Sequence, residues 1–170
     1  MVPVLETQRL RLRGHTFSDF DANFAMWGDE RVTRHIGGKP STREEAWARM
    51  LRYPGHWALL GYGYWLIEEK DTGAFVGEGG FGNFKREMSP PLDAPEQGWA
   101  LSPSAWGKGY ASEAVAAMLN WGEAHFGENR FCAIIDPTNT ASIRVAEKAG
   151  YRRTLETAYK GGVTLLFRRG

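Results

Sequence analysis

Gly107 and Gly109 lie two residues apart in segment 104–114, whose sequence is SAWGKGYASEA. Glycine lets the backbone adopt turns that other residues resist and lets it approach a ligand closely. A helical pattern starts directly after Gly109, and the first amides of a helix are unpaired donors with partial positive charge. Such a turn can bind a pyrophosphate, or it can simply connect a strand to a helix, and the segment alone favours neither interpretation.

Two better-known nucleotide motifs fit this segment poorly. A Walker loop would end in Gly-Lys-Ser/Thr, which is absent, and Ser112 stands where the motif G-x-G-x-x-G has its third glycine. Only one strand–helix–strand unit follows, whereas a dinucleotide-binding fold needs more. A dinucleotide-dependent oxidoreductase is therefore a weak alternative.

A second polar pair lies at the start of a later helical pattern, 139–149. Asn139 is a typical helix cap, Ser142 follows in the first turn, and Gly150 comes directly after the last helical residue. Both polar side chains could serve as caps only. For Asn139, however, capping and contact with a ligand are compatible.

The hydrophobic pattern and the turn residues predict which elements position these motifs. Strands are predicted at 5–13, 63–69, 74–84, 97–102, 130–136, 151–159 and 163–169. Helices are predicted from Ser18 or Asp19, from a capping box at Ser41 and Glu44, at 110–126 and at 139–149. Segment 85–95 contains three prolines and is expected to be a mobile loop.

Strands 97–102 and 130–136 flank a single helix, and such crossovers make parallel neighbours. Each strand stops at a proline, Pro103 or Pro137, which has no amide hydrogen to donate to a ladder. The carboxyl ends of the two strands are therefore expected to separate. Because α/β sheets tend to bind ligands at such a gap, the candidate site should lie near segment 104–114.

Length, charge and cysteine content limit the alternatives. The 170 residues suit one domain, 1–170, and a formal net charge of +1 gives no reason to expect a nucleic-acid or membrane partner. A single cysteine, Cys132, excludes a disulfide within the chain, and the four histidines share no ligand spacing, so no metal is expected. The N-terminus does not resemble a secretory signal, which makes a cytoplasmic location the simplest expectation.

Three stretches together resemble the GNAT superfamily of acetyltransferases. They are EQGWALSP at 96–103, WGKGYASEA at 106–114, and the run from Asn139 to EKAGY at 147–151. LETQRLRLR at 5–13 is similar to the first strand of the RimJ/RimL-like branch, which contains the ribosomal-protein N-terminal acetyltransferases. The resemblance implies an α/β (α+β) fold: a mixed, mostly antiparallel sheet of six to seven strands whose central parallel pair splays at its carboxyl ends, with about four flanking helices.

The resemblance also implies acetyl-CoA as the cosubstrate and assigns its contacts. Amides of 107–111 and the Ser112 side chain would bind the pyrophosphate. The backbone around 100–101 would bind the pantetheine arm and the thioester carbonyl, Asn139 would bind the arm, and Ser142 would lie near the sulfur. The implied cofactor-binding residues are Ala100, Leu101, Trp106, Gly107, Lys108, Gly109, Tyr110, Ala111, Ser112 and Asn139.

Two positions depart from the family pattern and bear on the catalytic residues. Ser104 stands where Arg or Gln is frequent, and Ala146 stands where many members have a tyrosine that acts as general acid. Ser142 is therefore the hypothetical proton donor, with capping as the alternative. Glu96 is the candidate base, acting through water, with a solvated strand-end carboxylate as the alternative. For Cys132, a covalent nucleophile is weighed against core packing, which is more usual for a lone cysteine.

The expected reaction is direct attack of a primary amine on the thioester. The acceptor is either a protein N-terminal α-amine or a small-molecule amine; an α-amine of pKa about 7.7 is roughly a third neutral at pH 7.4 and needs only weak base assistance. Trp27 and His35, in the helical insert after the first strand, are expected to contact this acceptor. A non-catalytic acyl-CoA-binding module of the same fold is the alternative, and a homodimer is left open.

Overall fold

One sheet of eight strands runs through the computed structural model, which describes residues 1–170. The strands are β1 (Leu5–Glu6), β2 (Leu10–Arg13), β3 (Tyr64–Glu69), β4 (Phe75–Gly82), β5 (Glu96–Leu101), β6 (Phe131–Ile135), β7 (Arg152–Tyr159) and β8 (Gly162–Arg169). The helices are α1 (Phe20–Trp27), α2 (Glu30–Thr33), α3 (Arg43–Leu60), α4 (Tyr110–Phe126) and α5 (Thr140–Lys148). Across the sheet the order is β1-β2-β3-β4-β5-β6-β8-β7, and only β5 and β6 are parallel neighbours.

The predicted fold class is confirmed, but the sheet has eight strands instead of six to seven, and there are five helices instead of about four. The additional strand arises in segment 5–13, which folds into two strands so that Leu5 pairs with Leu12. The turn between them is closed by Thr7, whose amide donates to the Leu10 carbonyl and whose hydroxyl accepts from the Leu10 amide, both at 2.9 Å. The additional helix, α2, has four residues, which is too short for a helical period to reveal.

The start of α3 lies one residue later than predicted. Thr42 is the cap instead of Ser41: its hydroxyl accepts from the Glu45 amide at 3.2 Å, and the Glu45 carboxylate accepts from the Thr42 amide at 2.8 Å. Ser41 with Glu44 and Thr42 with Glu45 both have the spacing of a capping box, so the sequence alone does not distinguish them. The bounds of α4, by contrast, agree with the predicted 110–126.

β5 and β6 pair only at their first residues. Their single register pair is Glu96 with Cys132, and the Cys132 amide donates to the Pro95 carbonyl. Beyond this point the two strands separate, as predicted from the proline after each of them, while β5 stays paired with β4 along its whole length. The resulting gap lies beside the first turns of α4 and α5.

α4 packs closely against the sheet and so fixes one side of this gap. Its buried face includes Val115, Met118 and Gly122. A Cβ at Gly122 would lie 2.6 Å from the Phe81 ring and 3.3 Å from the Phe131 ring, and both rings are fully buried. Gly122 is therefore a point of close approach between helix and sheet that a larger residue would disturb.

Gly122→Ala is expected to lower the free energy of unfolding by about 1–3 kcal/mol, because the added methyl group must displace the packed Phe81 ring. The matched control is Gly55→Ala in α3, where a Cβ would meet no atom within 4 Å. This control should be neutral or slightly stabilising, since alanine favours a helix. Urea unfolding measures both variants. A Gly122→Ala protein as stable as the control would contradict this close packing.

Candidate active site

Two cavities meet at the gap between β5 and β6. The loop cavity, of about 490 Å³, lies beside the glycine segment 106–112 and the start of α4. The arginine cavity, of about 440 Å³, is lined by residues of α3, β5, β6 and β8. Seven residues line both cavities and define the junction between them: Arg34, His35, Ile36, Trp99, Ala100, Asn139 and Ser142.

The glycine segment forms one wall of the loop cavity. Gly107 and Gly109 have φ angles of 75° and 78°, in the left-handed region that favours glycine. Gly109 caps α4 without a side-chain hydrogen bond, and the first amides of a helix have no partner within it. Because Tyr110, Ala111 and Ser112 line the cavity, this wall presents unpaired amides and the positive end of the helix dipole to an anion.

Nine of the ten residues predicted to bind the cofactor line the loop cavity. The exception is Lys108. Its carbonyl accepts a hydrogen bond from Arg9 at 2.8 Å, and its side-chain amine lies 3.8 Å from a carboxylate oxygen of Glu69. Lys108 is therefore the one predicted residue outside the lining of the cavity, and its exposed side chain lies beside Glu69.

Arg9 ties the glycine segment to the N-terminal strands. Its guanidinium donates to the Lys108 carbonyl at 2.8 Å and to Glu113 at 2.7 Å, and it stacks 4.6 Å from the centroid of the Tyr110 ring. The Thr7 hydroxyl and the Arg9 amide donate to the other Glu113 oxygen. Burial alone would raise the pKa of Glu113, but these hydrogen bonds outweigh it and lower the pKa. The strand pattern of segment 5–13 does not predict that Arg9 anchors the glycine segment.

Alternate backbone amides of β5 point into the gap. The Ser102 amide donates to the Val76 carbonyl at 2.8 Å, on the β4 side. Since alternate residues of a strand direct their amides to the same neighbour, the amides of Trp99 and Leu101 point to the side from which β6 has separated. Ala100, predicted beside Leu101, directs its amide to β4 instead. The buried Nε1 of Trp99 is a further donor, and it has no hydrogen-bond partner in the protein.

Asn139 and Ser142 lie together at the junction. The Asn139 side chain accepts a hydrogen bond from the Ser142 amide at 3.2 Å, which makes Asn139 the cap of α5, as predicted. The Ser142 hydroxyl makes no hydrogen bond within the protein, so it does not act as a cap. Ala146, one turn further on the same face of α5, is fully buried. The Ser142 hydroxyl is thus a free side-chain donor that this helix offers to a ligand at the junction.

Glu96 lies in the arginine cavity as half of a buried ion pair. Its two oxygens accept from Arg86 at 2.7 and 2.8 Å, and 5% of its surface is exposed. Burial would lower the pKa of Arg86, but the hydrogen bonds and charge of Glu96 outweigh it and raise the pKa. Arg86 also donates to the Tyr159 hydroxyl at 3.2 Å, so segment 85–95 is tied to the sheet here. The interpretation of Glu96 as a solvated carboxylate is therefore wrong.

A second buried carboxylate, that of Glu78 in β4, holds the predicted acceptor residue Trp27. Glu78 is 0% exposed and accepts hydrogen bonds from Trp27 Nε1 at 2.8 Å and from the Tyr53 hydroxyl at 2.6 Å. His15 and Asn23 complete its shell. Burial alone would raise the pKa of Glu78, but the hydrogen bonds, that of His15 first, lower it. Trp27 and Tyr53 line the arginine cavity, so their hydrogen bonds to Glu78 hold two of the side chains that form its wall.

His35, the other predicted acceptor residue, lies at the junction of the two cavities. Its Nδ1 is 3.0 Å from the Thr138 hydroxyl and 3.9 Å from a carboxylate oxygen of Asp136. This contact joins the helical insert to the loop before α5. His35 therefore lies where a contact with the acceptor is feasible, and that contact stays a prediction.

A comparison with protein families agrees with this geometry. Residues 9–152 match the model of the acetyltransferase (GNAT) domain, which is most of the chain. The chain belongs to the GNAT acetyltransferase family. It shares 30% identity with YoaA, an uncharacterized N-acetyltransferase of Bacillus subtilis, over 90% of this chain and 85% of YoaA. It shares 36% identity with YkkB of the same organism, over 89% of this chain and 87% of YkkB.

Solved structures share the GNAT fold. A Bordetella pertussis protein assigned to the GNAT family is 33% identical and covers 99% of both chains, with a TM-score of 0.86. RimL, a ribosomal-protein α-N-acetyltransferase solved with coenzyme A, has a TM-score of 0.79 at 17% identity, over 98% of this chain and 97% of its own. This second likeness is one of fold.

Cys132 does not suit covalent catalysis in this GNAT chain. The residue is fully buried, it lines neither cavity, and its thiol lies 3.3 Å from the Ala94 carbonyl, to which it donates. Burial and then the charges of Glu96 and Asp93 raise the pKa of the Cys132 thiol to about 12. Because the thiolate is the nucleophilic form, these properties favour the core-packing interpretation.

Metal and membrane sites were not expected from the sequence. The structure brings together no group of three or more His, Cys, Asp or Glu side chains that could hold a metal ion. None of its helices has the length and apolar character that crossing a bilayer requires.

Arg9→Ala is expected to raise the KM for acetyl-CoA about tenfold, because removing charge-assisted hydrogen bonds would loosen the glycine segment. The matched control is Arg11→Ala, two residues further on in β2, since Arg11 pairs with Glu6 and Glu68 and does not contact the segment. Steady-state kinetics with acetyl-CoA varied compares the two variants. Equal KM values for Arg9→Ala and its control would show that the segment does not depend on this anchor.

Proposed function

We propose that the chain is an acetyl-CoA-dependent N-acetyltransferase that transfers the acetyl group to a primary amine. The observation that carries this proposal is the meeting of two cavities at a junction with unpaired donors. One cavity has the wall that a pyrophosphate requires, and the other has room for a second substrate. Two substrates that approach from opposite sides can react directly, without a covalent enzyme intermediate.

In this proposal the coenzyme occupies the loop cavity. Its pyrophosphate is held by the amides at the start of α4 and by the Ser112 hydroxyl. Its pantetheine arm runs along β5 and bonds the outward amides of Trp99 and Leu101, with Asn139 on the opposite side. The thioester then lies at the junction, where the outward amide of Trp99 can stabilise the oxyanion that forms on attack.

Ser142 is the proposed proton donor to the leaving thiolate. Its hydroxyl lies at the junction and makes no hydrogen bond within the protein, and Ala146 supplies no other acid on this face. A thiol has a pKa of about 8.5, so its thiolate needs only modest acid assistance.

Ser142→Ala is expected to lower kcat about 10- to 100-fold with little change in the KM for acetyl-CoA, because proton transfer by a positioned group contributes on this scale. Ser41→Ala, which removes a half-buried hydroxyl outside both cavities, is the control. Turnover by Ser142→Ala at the wild-type rate would exclude Ser142 as the donor.

Glu96 is the proposed base, because its carboxylate lines the arginine cavity at the head of β5. Its ion pair with Arg86 gives it a second role, that of holding Arg86, and the two roles differ in their kinetic consequences. Glu96→Gln is expected to remove the acidic limb from the pH profile of kcat/KM, because the amide no longer accepts the proton. An unchanged acidic limb with a higher acceptor KM would assign Glu96 to holding Arg86 alone.

The second candidate function is a non-catalytic acyl-CoA-binding module of the same fold, which Ala146 favours because it replaces a frequent general acid. The deciding experiment measures thiol release from acetyl-CoA with a panel of primary amines. Amine-dependent release with a stoichiometric acetylated product supports the transferase. Tight coenzyme binding without release for any amine class would support the binding module instead.

A further inference from the structure

The arginine cavity carries more positive than negative side chains. Its acidic lining residues are Glu96 and Asp136, and its basic ones are Arg34, Arg49, Arg52, Arg86 and Lys160. Arg86 is neutralised by Glu96, whereas Arg49 and Arg52 form no ion pair with any carboxylate. Unpaired cations grouped in a concave site favour an anionic ligand.

Arg49 is held in place by an aromatic ring instead of by a carboxylate. The residue is half-buried on α3, and its guanidinium carbon lies 3.9 Å from the centroid of the Trp27 ring. Trp27 is itself fixed by its hydrogen bond to the buried Glu78. Stacking uses one face of the guanidinium and leaves its N–H donors free at the edge. Arg49 is thus a pre-positioned donor without an acceptor in the protein.

Arg52 lies one turn further along α3 and extends the same surface. Its guanidinium carbon is 5.6 Å from the centroid of the Phe84 ring, and that of Arg86 is 4.9 Å from the same ring. Two free guanidinium groups on one face of a helix, three residues apart, are spaced for one anionic group. The planar fork of arginine matches a carboxylate, which it can bind through two parallel hydrogen bonds.

The phosphates of the coenzyme do not account for these two arginines. Arg31 lines the loop cavity alone and Arg34 lines both cavities, so either of them is placed to meet the coenzyme. Arg49 and Arg52 line the arginine cavity alone, on the other side of the junction. Their ligand is therefore the second substrate.

We propose that the acceptor is a small amine that also carries a carboxylate, which Arg49 binds together with Arg52 while the amine faces the junction. This inference rests on the proposed transferase function. A cavity of about 440 Å³ suits a small molecule such as an amino acid. The same positive charges disfavour polyamines and aminoglycosides, and they also favour the neutral, nucleophilic form of the bound amine.

The test compares amines that differ only in the acidic group: free amino acids, their carboxamides and diamines of equal length, with thiol release from acetyl-CoA as the readout. The acids are expected to react with kcat/KM at least about tenfold above the carboxamides, since a charge-assisted hydrogen bond contributes on this scale. Equal or higher kcat/KM for carboxamides or diamines would overturn the inference while leaving the transferase function intact.

Arg49→Met tests the assigned residue. It is expected to raise the KM for the acids about 10- to 100-fold with kcat little changed, and to leave the KM for carboxamides unchanged. Arg49→Lys should restore part of the loss. The control is Arg43→Met, because Arg43 stacks on the Phe20 ring at 4.8 Å from the same helix but lines neither cavity. Acid selectivity that survives in Arg49→Met would overturn the assignment.

If no amine in the panel reacts, binding measurements distinguish failure of the carboxylate-bearing acceptor from failure of the transferase function. Calorimetry on the coenzyme-loaded protein then compares N-acetyl amino acids with their carboxamides, which mimic the product. Binding that requires the carboxylate and is lost in Arg49→Met supports the anionic ligand even without turnover. Absence of carboxylate-dependent binding overturns it, whereas failure to bind acetyl-CoA at all would instead reject the proposed function.

Discussion

The separation of β5 and β6 after a single paired position is the constraint on which the rest of the site depends. A paired β6 would occupy the amides of Trp99 and Leu101 and would fill the space in which both cavities meet. Separation leaves those amides unpaired, and an unpaired buried amide costs free energy unless a ligand or water satisfies it. The gap therefore favours an extended ligand with carbonyl and amide groups, such as a pantetheine arm.

Buried charges hold the walls of this gap in position. Glu78 is fully enclosed, yet four donors surround it, so the cost of removing its charge from water is offset by hydrogen bonds. At the head of β5 the buried Glu96 is likewise satisfied by Arg86, and beside the glycine segment the partly exposed Glu113 pairs with Arg9. Glu78 and Glu113 connect elements far apart in the chain, whereas Glu96 binds a loop that lies ten residues before it. The geometry of the site therefore depends on distant as well as local contacts.

Local sequence signals predicted the parts of this structure that local physics decides. The bounds of α4 follow from Gly109 and Gly127, which both take left-handed φ angles at its ends, and the splayed pair follows from the prolines after each strand. Segment 5–13 was predicted as one strand because its alternation continues through the turn at Thr7. That turn is stabilised by hydrogen bonds to Leu10, which the alternation does not encode.

The partners of the buried carboxylates could not be predicted, because they depend on packing between distant elements. Glu78 lies in a glycine-rich strand whose sequence pattern predicts only core packing. The donors that bind its carboxylate come from three other parts of the chain. Arg86 lies in a loop without periodicity, so its pairing with Glu96 leaves no local signal. Nine of the ten predicted coenzyme residues nevertheless line one cavity, since the family resemblance that indicated them joins three stretches that the splayed strands bring to the same gap.

A crystal structure of the protein with coenzyme A tests the central claim most directly. The account predicts a pyrophosphate against the first turn of α4, a pantetheine arm bonded to the amides of Trp99 and Leu101, and a sulfur atom at the junction beside Ser142. Density for the arm outside the gap between β5 and β6, or a sulfur remote from the junction, would contradict it.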